Sequence, residues 1–202
     1  MNRYQNLTAA RAEIEALDPD DQYNTMIQTA AIITRLLEPF NIKPIVVGGL
    51  SVEIYTQNAY STRDIDFVSE GYDTISEILL QLGFQKEGRH FFHEAIEVAL
   101  EIPSSFLEGD YEKVTKVVLD DSTDQYVYLI SIEDIIIDRL RAAVHWMSAE
   151  DAKWGFELLL MHFSDVDKHY LRSKATTTKE LIRLEEWLTQ IENGLDLTTD
   201  ED

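Results

Sequence analysis

Two aspartates one residue apart, Asp64 and Asp66, stand in the alternating run Asp64-Ile65-Asp66-Phe67-Val68. Alternation of this kind predicts a strand, on which residues i and i+2 share a face with their Cα atoms about 7 Å apart. Ile65 and Phe67 then turn the other way, toward a core. Two carboxylates so placed repel each other unless a cation lies between them. Mg²⁺ takes such oxygen ligands and completes its shell with water and phosphate oxygens, as one ion or a pair. Upstream, Gly48-Gly49 closes the apolar, β-branched run Ile42–Val47, and residues 50–58 read as a short helix. Glycines at such a turn let a phosphate approach the main chain, and the helix start offers free N–H groups and partial positive charge. Ser51 would add a hydroxyl donor, and Arg63, just before the acids, would contact a phosphate or pair with Asp64. Together these parts outline a phosphoryl or nucleotidyl transfer site.

The elements that must hold these residues fall into two halves. Residues 21–38 predict an amphipathic helix, with Tyr23, Met26, Ile27, Ala30, Ile33 and Leu37 on one stripe and Pro39 at its end. A second helix spans 73–82 and is closed by Gly83. Strands are expected at Phe84–Lys86, Arg89–His93 and Ala95–Ile102, with a hairpin turn at Gly88, and again at Val114–Leu119 and Tyr126–Ile130. From Ser131 the pattern turns helical. Ser131 and Asp134 resemble a capping box, ahead of a buried stripe of Ile132, Ile135, Ile136, Leu140, Ala143 and Val144. Further helices are expected near 149–162, 164–174 and 177–193. This gives an α/β domain over 1–130, a helical subdomain over 131–195 and a frayed acidic tail over 196–202.

A Gly-Gly pair after a strand is more often a plain turn, and Asp-x-Asp more often a solvated face. Their order carries the reading: strand, Gly-Gly, helix, then the acid pair 15 residues after Gly49. This order, GGLSVEIY…STRDIDFV, resembles the nucleotidyltransferase superfamily signature, and looks most like its minimal, toxin–antitoxin-associated branch. The likeness extends over about residues 24–174, with the specific motif in 46–68. It implies an α+β fold: a nucleotidyltransferase-like mixed β-sheet flanked by helices, followed by a C-terminal helical bundle. It also implies transfer of a nucleoside monophosphate from an NTP to an acceptor, with Asp64 and Asp66 as Mg²⁺ ligands and Gly48, Gly49, Ser51 and Arg63 on the nucleotide. Active members add a third carboxylate from a neighbouring strand. Glu101 is the first choice here and Glu97 the second, both expected on one face of the 95–102 strand. Many catalytic members have serine where this chain has Gly49. The alternative is a non-catalytic module of the same fold, binding a nucleotide or a protein partner.

In the helical half, Asp138, Arg141 and His145 share a stripe opposite the apolar one, with Arg139 beside them. The resemblance would turn Asp138 and Arg139 toward the pocket. His145, His162 and His169 lack the spacing of a zinc site, and Trp146, Trp154 and Trp187 are expected to be packing residues. There is no cysteine, which excludes disulfides, thiolate catalysis and cysteine zinc sites. Seventeen basic against 38 acidic residues give a net charge of −21, which disfavours nucleic acid and anionic lipid as partners. It suits a cationic or protein partner, or a nucleotide that arrives with Mg²⁺. No apolar run is long enough to cross a bilayer and the first residues lack a signal-peptide pattern, so a cytoplasmic protein is expected.

Overall fold

The computed structural model describes residues 3–120 and 125–199. They divide into two compact units, residues 1–131 and 132–202. Residues 200–202 of the expected acidic tail lie outside the described part.

In the first unit the strands are β1 (Ile45–Val47), β2 (Asp64–Val68), β3 (Gln85–Glu87), β4 (His90–His93), β5 (Val98–Ser104), β6 (Thr115–Asp120) and β7 (Gln125–Leu129), with helices α1 (Arg3–Glu15), α2 (Gln22–Leu37), α3 (Gly48–Tyr55) and α4 (Tyr72–Leu82). They form one seven-stranded sheet in the order β3-β4-β5-β2-β1-β7-β6. It is mixed: β2 runs parallel to β5 and β1 parallel to β7, while the other pairs are antiparallel. The two strands that carry the predicted chemistry are therefore central.

β2 alternates as its sequence demands, with Ile65 and Phe67 fully buried, Asp64 exposed and Asp66 half-buried. Its apolar face joins Val46, Leu50, Leu100, Phe91, Val127 and Leu129 in one core. α2 is capped by Asp21, whose carboxylate accepts the Asn24 N–H. Burial wraps nearly the whole of α2, taking in Thr25, Thr29 and Thr34 beyond the expected stripe. Thr34 meets the requirement for a partner by donating to the Ala30 carbonyl at 2.8 Å. Gly83, at φ +102°, ends α4 with the left-handed residue such a terminus favours.

Three local expectations are corrected. β1 starts at Ile45, because Pro44 has no N–H for the ladder. Gly48-Gly49 is not a turn ahead of the helix but the first two residues of α3 itself. The strand expected from Ala95 begins at Val98, since 94–96 wind into a short 3₁₀ turn and Glu97 takes φ +52°.

The second unit holds α5 (Ile132–His145), α6 (Ala149–Met161), α7 (Lys168–Lys174) and α8 (Thr178–Thr199). Ser148 and Asp167 cap α6 and α7. α8 continues to Thr199, beyond the predicted end near 193. Ile135, Ile136 and Leu140 are buried as expected, together with Ile137 and Ala142. The acidic start of α5 is tied to α7: Asp134 accepts the Tyr170 hydroxyl and Glu133 the Asp167 N–H. Trp187 packs over the bare backbone of Gly155, whereas Trp146 is 80% exposed and is not a packing residue.

Candidate active site

β1 passes directly into α3, and the bend between them is Gly48 at φ +60°, a left-handed conformation that glycine tolerates best. A Cβ at Gly48 would overlap the Asp66 carboxylate outright, so the acid lies flush against the main chain where the helix begins. A Cβ at Gly49 would fall 2.5 Å from Thr62 Oγ1. Serine at that position, the residue many catalytic members carry, would require Thr62 to move. Thr62 also donates to Asp64 Oδ1 at 2.6 Å. Gly49 and Asp64 thus meet across one threonine, which the sequence reading did not single out.

Ser51 does not supply the donor expected of it. It is fully buried, and its hydroxyl donates to the Gly48 carbonyl at 2.7 Å, bracing the bend from within. Glu53 was likewise not anticipated. It is 2% exposed, and its carboxylate accepts the Thr62 N–H at 3.3 Å. Burial pushes its pKa up, and the Thr62 hydrogen bond only partly offsets this. Tyr23 is pushed up too, by its own burial and then by the charge of Glu53. Arg63, next in sequence, is exposed.

The sheet register brings in the third acid. Val47 pairs with Asp66, Asp66 with Glu101, and Glu101 with His90, a single row across β1, β2, β5 and β4. Laterally paired residues face the same side of a sheet, so Glu101 stands beside Asp66. Glu97 does not share that face: it is exposed in the left-handed turn before β5. Glu101 is 14% exposed and bridged by Arg89 Nε at 2.9 Å and His90 Nδ1 at 3.2 Å. Neither basic residue was singled out from sequence, because only cross-strand pairing places them there. The hairpin turn at Gly88 was the available signal.

As a cation site, the row offers hard oxygen donors of the type Mg²⁺ takes, and the lack of a side chain at Gly48 leaves Asp66 its place. Among the described residues, no three His, Cys, Asp or Glu side chains gather into a ready metal cluster. Glu101 is turned to its basic neighbours. A cavity of about 680 Å³ opens at the far ends of β1 and β2, lined by Lys43, Ile45, Val68, Glu70 and Tyr128 among others, away from this row.

In the helical unit, Asp151 holds Arg139 at 2.7 Å, with Asp138 at 3.6 Å. His145 meets Glu180 at 2.5 Å, and Arg141 donates to the Lys174 carbonyl at 3.2 Å. Through Arg141 and His145, the stripe opposite the apolar one ties the helices of this unit to each other.

A central strand pair with a glycine bend at one strand's end and two aspartates on its neighbour defines a nucleotidyltransferase-type fold. Residues 5–188 match the family described as nucleotidyltransferase of unknown function (DUF6036), and the chain belongs to that family. Among solved structures, it is similar to an antigenic nucleotidyltransferase-like protein from Paracoccidioides brasiliensis, with TM-score 0.60 and 16% identity over 86% of this chain and 91% of that one. ANT(2″)-Ia in complex with adenylyl-2″-tobramycin aligns with TM-score 0.49 and 14% identity, over 78% of this chain and 94% of that one. The solution structure of the antibiotic-resistance factor ANT(2″)-Ia aligns with TM-score 0.43 and 14% identity, over 84% and 94%. At 16% identity the likeness to the Paracoccidioides protein bears on fold alone. No curated protein matches the sequence significantly. Among the described residues, no helix is long and apolar enough to cross a membrane.

Proposed function

We propose that this chain is a Mg²⁺-dependent nucleotidyltransferase that moves a nucleoside monophosphate from an NTP onto an acceptor hydroxyl, releasing pyrophosphate. The observation that carries the reading is the Asp66 carboxylate lying against Gly48, with Glu101 in register beside it. Asp64 and Asp66 would hold the Mg²⁺, which supplies charge neutralisation to the triphosphate and the departing pyrophosphate. The N–H groups at the start of α3 take phosphate oxygens at Gly48 and Gly49, where no side chain blocks the approach. Thr62 fixes the Asp64 carboxylate by its hydrogen bond, and Ser51 fixes the bend. Arg63 reaches the phosphates from solvent. Glu101 accepts the proton of the acceptor hydroxyl as its oxygen attacks the α-phosphorus. Positioning and charge account for most of the rate in such a site.

The test is Asp66→Ala with pyrophosphate release as the readout. Turnover is expected to fall by about 10²-fold or more with the circular dichroism spectrum unchanged. Undiminished turnover overturns the mechanism.

A second reading is favoured by the engagement of Glu101 with Arg89 and His90: a non-catalytic module that binds a nucleotide or a protein, for example as half of a toxin–antitoxin pair. Calorimetry with Mg²⁺ and each NTP separates the two, since this reading requires binding without pyrophosphate release. The net charge of −21 suits a cationic or protein acceptor over a long RNA. We place the activity in the cytoplasm, where NTPs and Mg²⁺ are both at hand.

A further inference from the structure

Glu101 is paired in register with Asp66, yet its carboxylate is spent on two basic residues of the adjoining hairpin. We propose that the Gly88 hairpin is a latch on the third carboxylate. In the metal-free protein Arg89 and His90 hold Glu101. Loading with a divalent cation and nucleotide draws Glu101 to the cation and releases Arg89 to bind the triphosphate. This rests on the nucleotidyltransferase reading above and assigns Arg89 a role in it.

Three features support the exchange. First, charge: Glu101 is in register with Asp66, and Arg89 supplies positive charge directly against the Glu101 carboxylate. A divalent ion brings the same sign at twice the charge, so ion and arginine compete for one carboxylate. Second, exposure: Arg89 is 75% exposed while Glu101 is 14% exposed, so the basic arm lies in solvent and the acid is seated in the sheet. Gly88, at φ +62°, has nothing within 4 Å of where its Cβ would lie, so the hairpin tip faces open space. Third, placement: Arg89 meets Glu101, Glu101 is in register with Asp66, and the Asp66 carboxylate lies against Gly48 at the α3 start, where the phosphates would lie. A planar guanidinium offers paired donors to phosphate oxygens, as a lysine does not.

Because the bridge has one partner largely in solvent it is weak, and its removal should tighten cation binding by about three- to fivefold. The experiment measures free Mn²⁺ binding by electron paramagnetic resonance, without nucleotide, for wild type, Arg89→Ala, Arg89→Lys and Asp66→Asn. It then measures the affinity of a non-hydrolysable ATP analogue in saturating Mn²⁺. Arg89→Ala is expected to bind Mn²⁺ more tightly than wild type but the analogue more weakly, with Arg89→Lys between them on both scales. Opposite movement of two affinities is not what a purely structural residue gives; both weakening together, with a lowered melting temperature, overturns the latch. So does Mn²⁺ affinity in Arg89→Ala no higher than in wild type, provided wild type binds more tightly than Asp66→Asn. If wild type binds Mn²⁺ no better than Asp66→Asn, the cation site itself is wrong. The nucleotidyltransferase reading then falls, and the latch with it.

Discussion

One threonine connects Asp64 and Glu53: Thr62 gives its hydroxyl to Asp64 and its N–H to Glu53. A buried carboxylate is a costly anchor, because burial favours its neutral form. With the folded pKa of Glu53 raised above the ordinary 4.5, its contribution to stability is full below that value and is lost as pH rises through the folded one. Glu53→Gln keeps an oxygen for the Thr62 N–H and removes the charge. It should therefore be more stable than wild type at neutral pH, with the difference vanishing below about pH 4.5. Denaturant titrations at the two pH values check this. The retention of a charge at some expense in stability fits a residue that holds the loop carrying Thr62, Arg63 and Asp64.

At the scale of elements, α8 begins with a reciprocal cap that the sequence reading passed over. Thr177 Oγ1 accepts the Glu180 N–H, while Glu180 Oε2 accepts the N–H groups of Thr176 and Thr177. Burial pushes the Glu180 pKa up, but the hydrogen bonds from His145, Thr177 and Thr176 outweigh it, leaving the pKa below the ordinary 4.5. The stability so gained is present above about pH 4.5 and disappears as pH falls through the depressed folded value. Melting curves should show wild type losing stability in acid more steeply than Glu180→Gln. Elements set by local pattern were legible in sequence. β2 spans Asp64–Val68 as its alternation predicts, and α4 stops at Gly83. What depended on partners distant in the chain was not legible. Alternation in Ala95–Ile102 gave no hint that Glu97 would bend out of the strand. Nothing near Ser51 said that its hydroxyl would turn back to Gly48. Arg89 and His90 acquire their place beside Glu101 only from the register of β4 on β5.

For the molecule as a whole, the charge of −21 is a long-range field as well as a solubility device. If the acceptor is cationic, association should be steered at low salt and slow by about tenfold or more between about 0.05 and about 0.5 M NaCl, as screening shortens its reach. Stopped-flow binding of a polycationic acceptor measures it; a flat salt dependence would point to a neutral one. The sheet order leaves two rims. One rim, β3, is the three-residue Gln85-Lys86-Glu87, exposed throughout: too brief and too polar for a second chain to zip onto. The other rim, β6, is twice as long and shows Val118 at 50% exposure. Should the protein ever self-associate through its backbone, the contact would start on β6, the side remote from Glu101, and would leave the acid row uncovered.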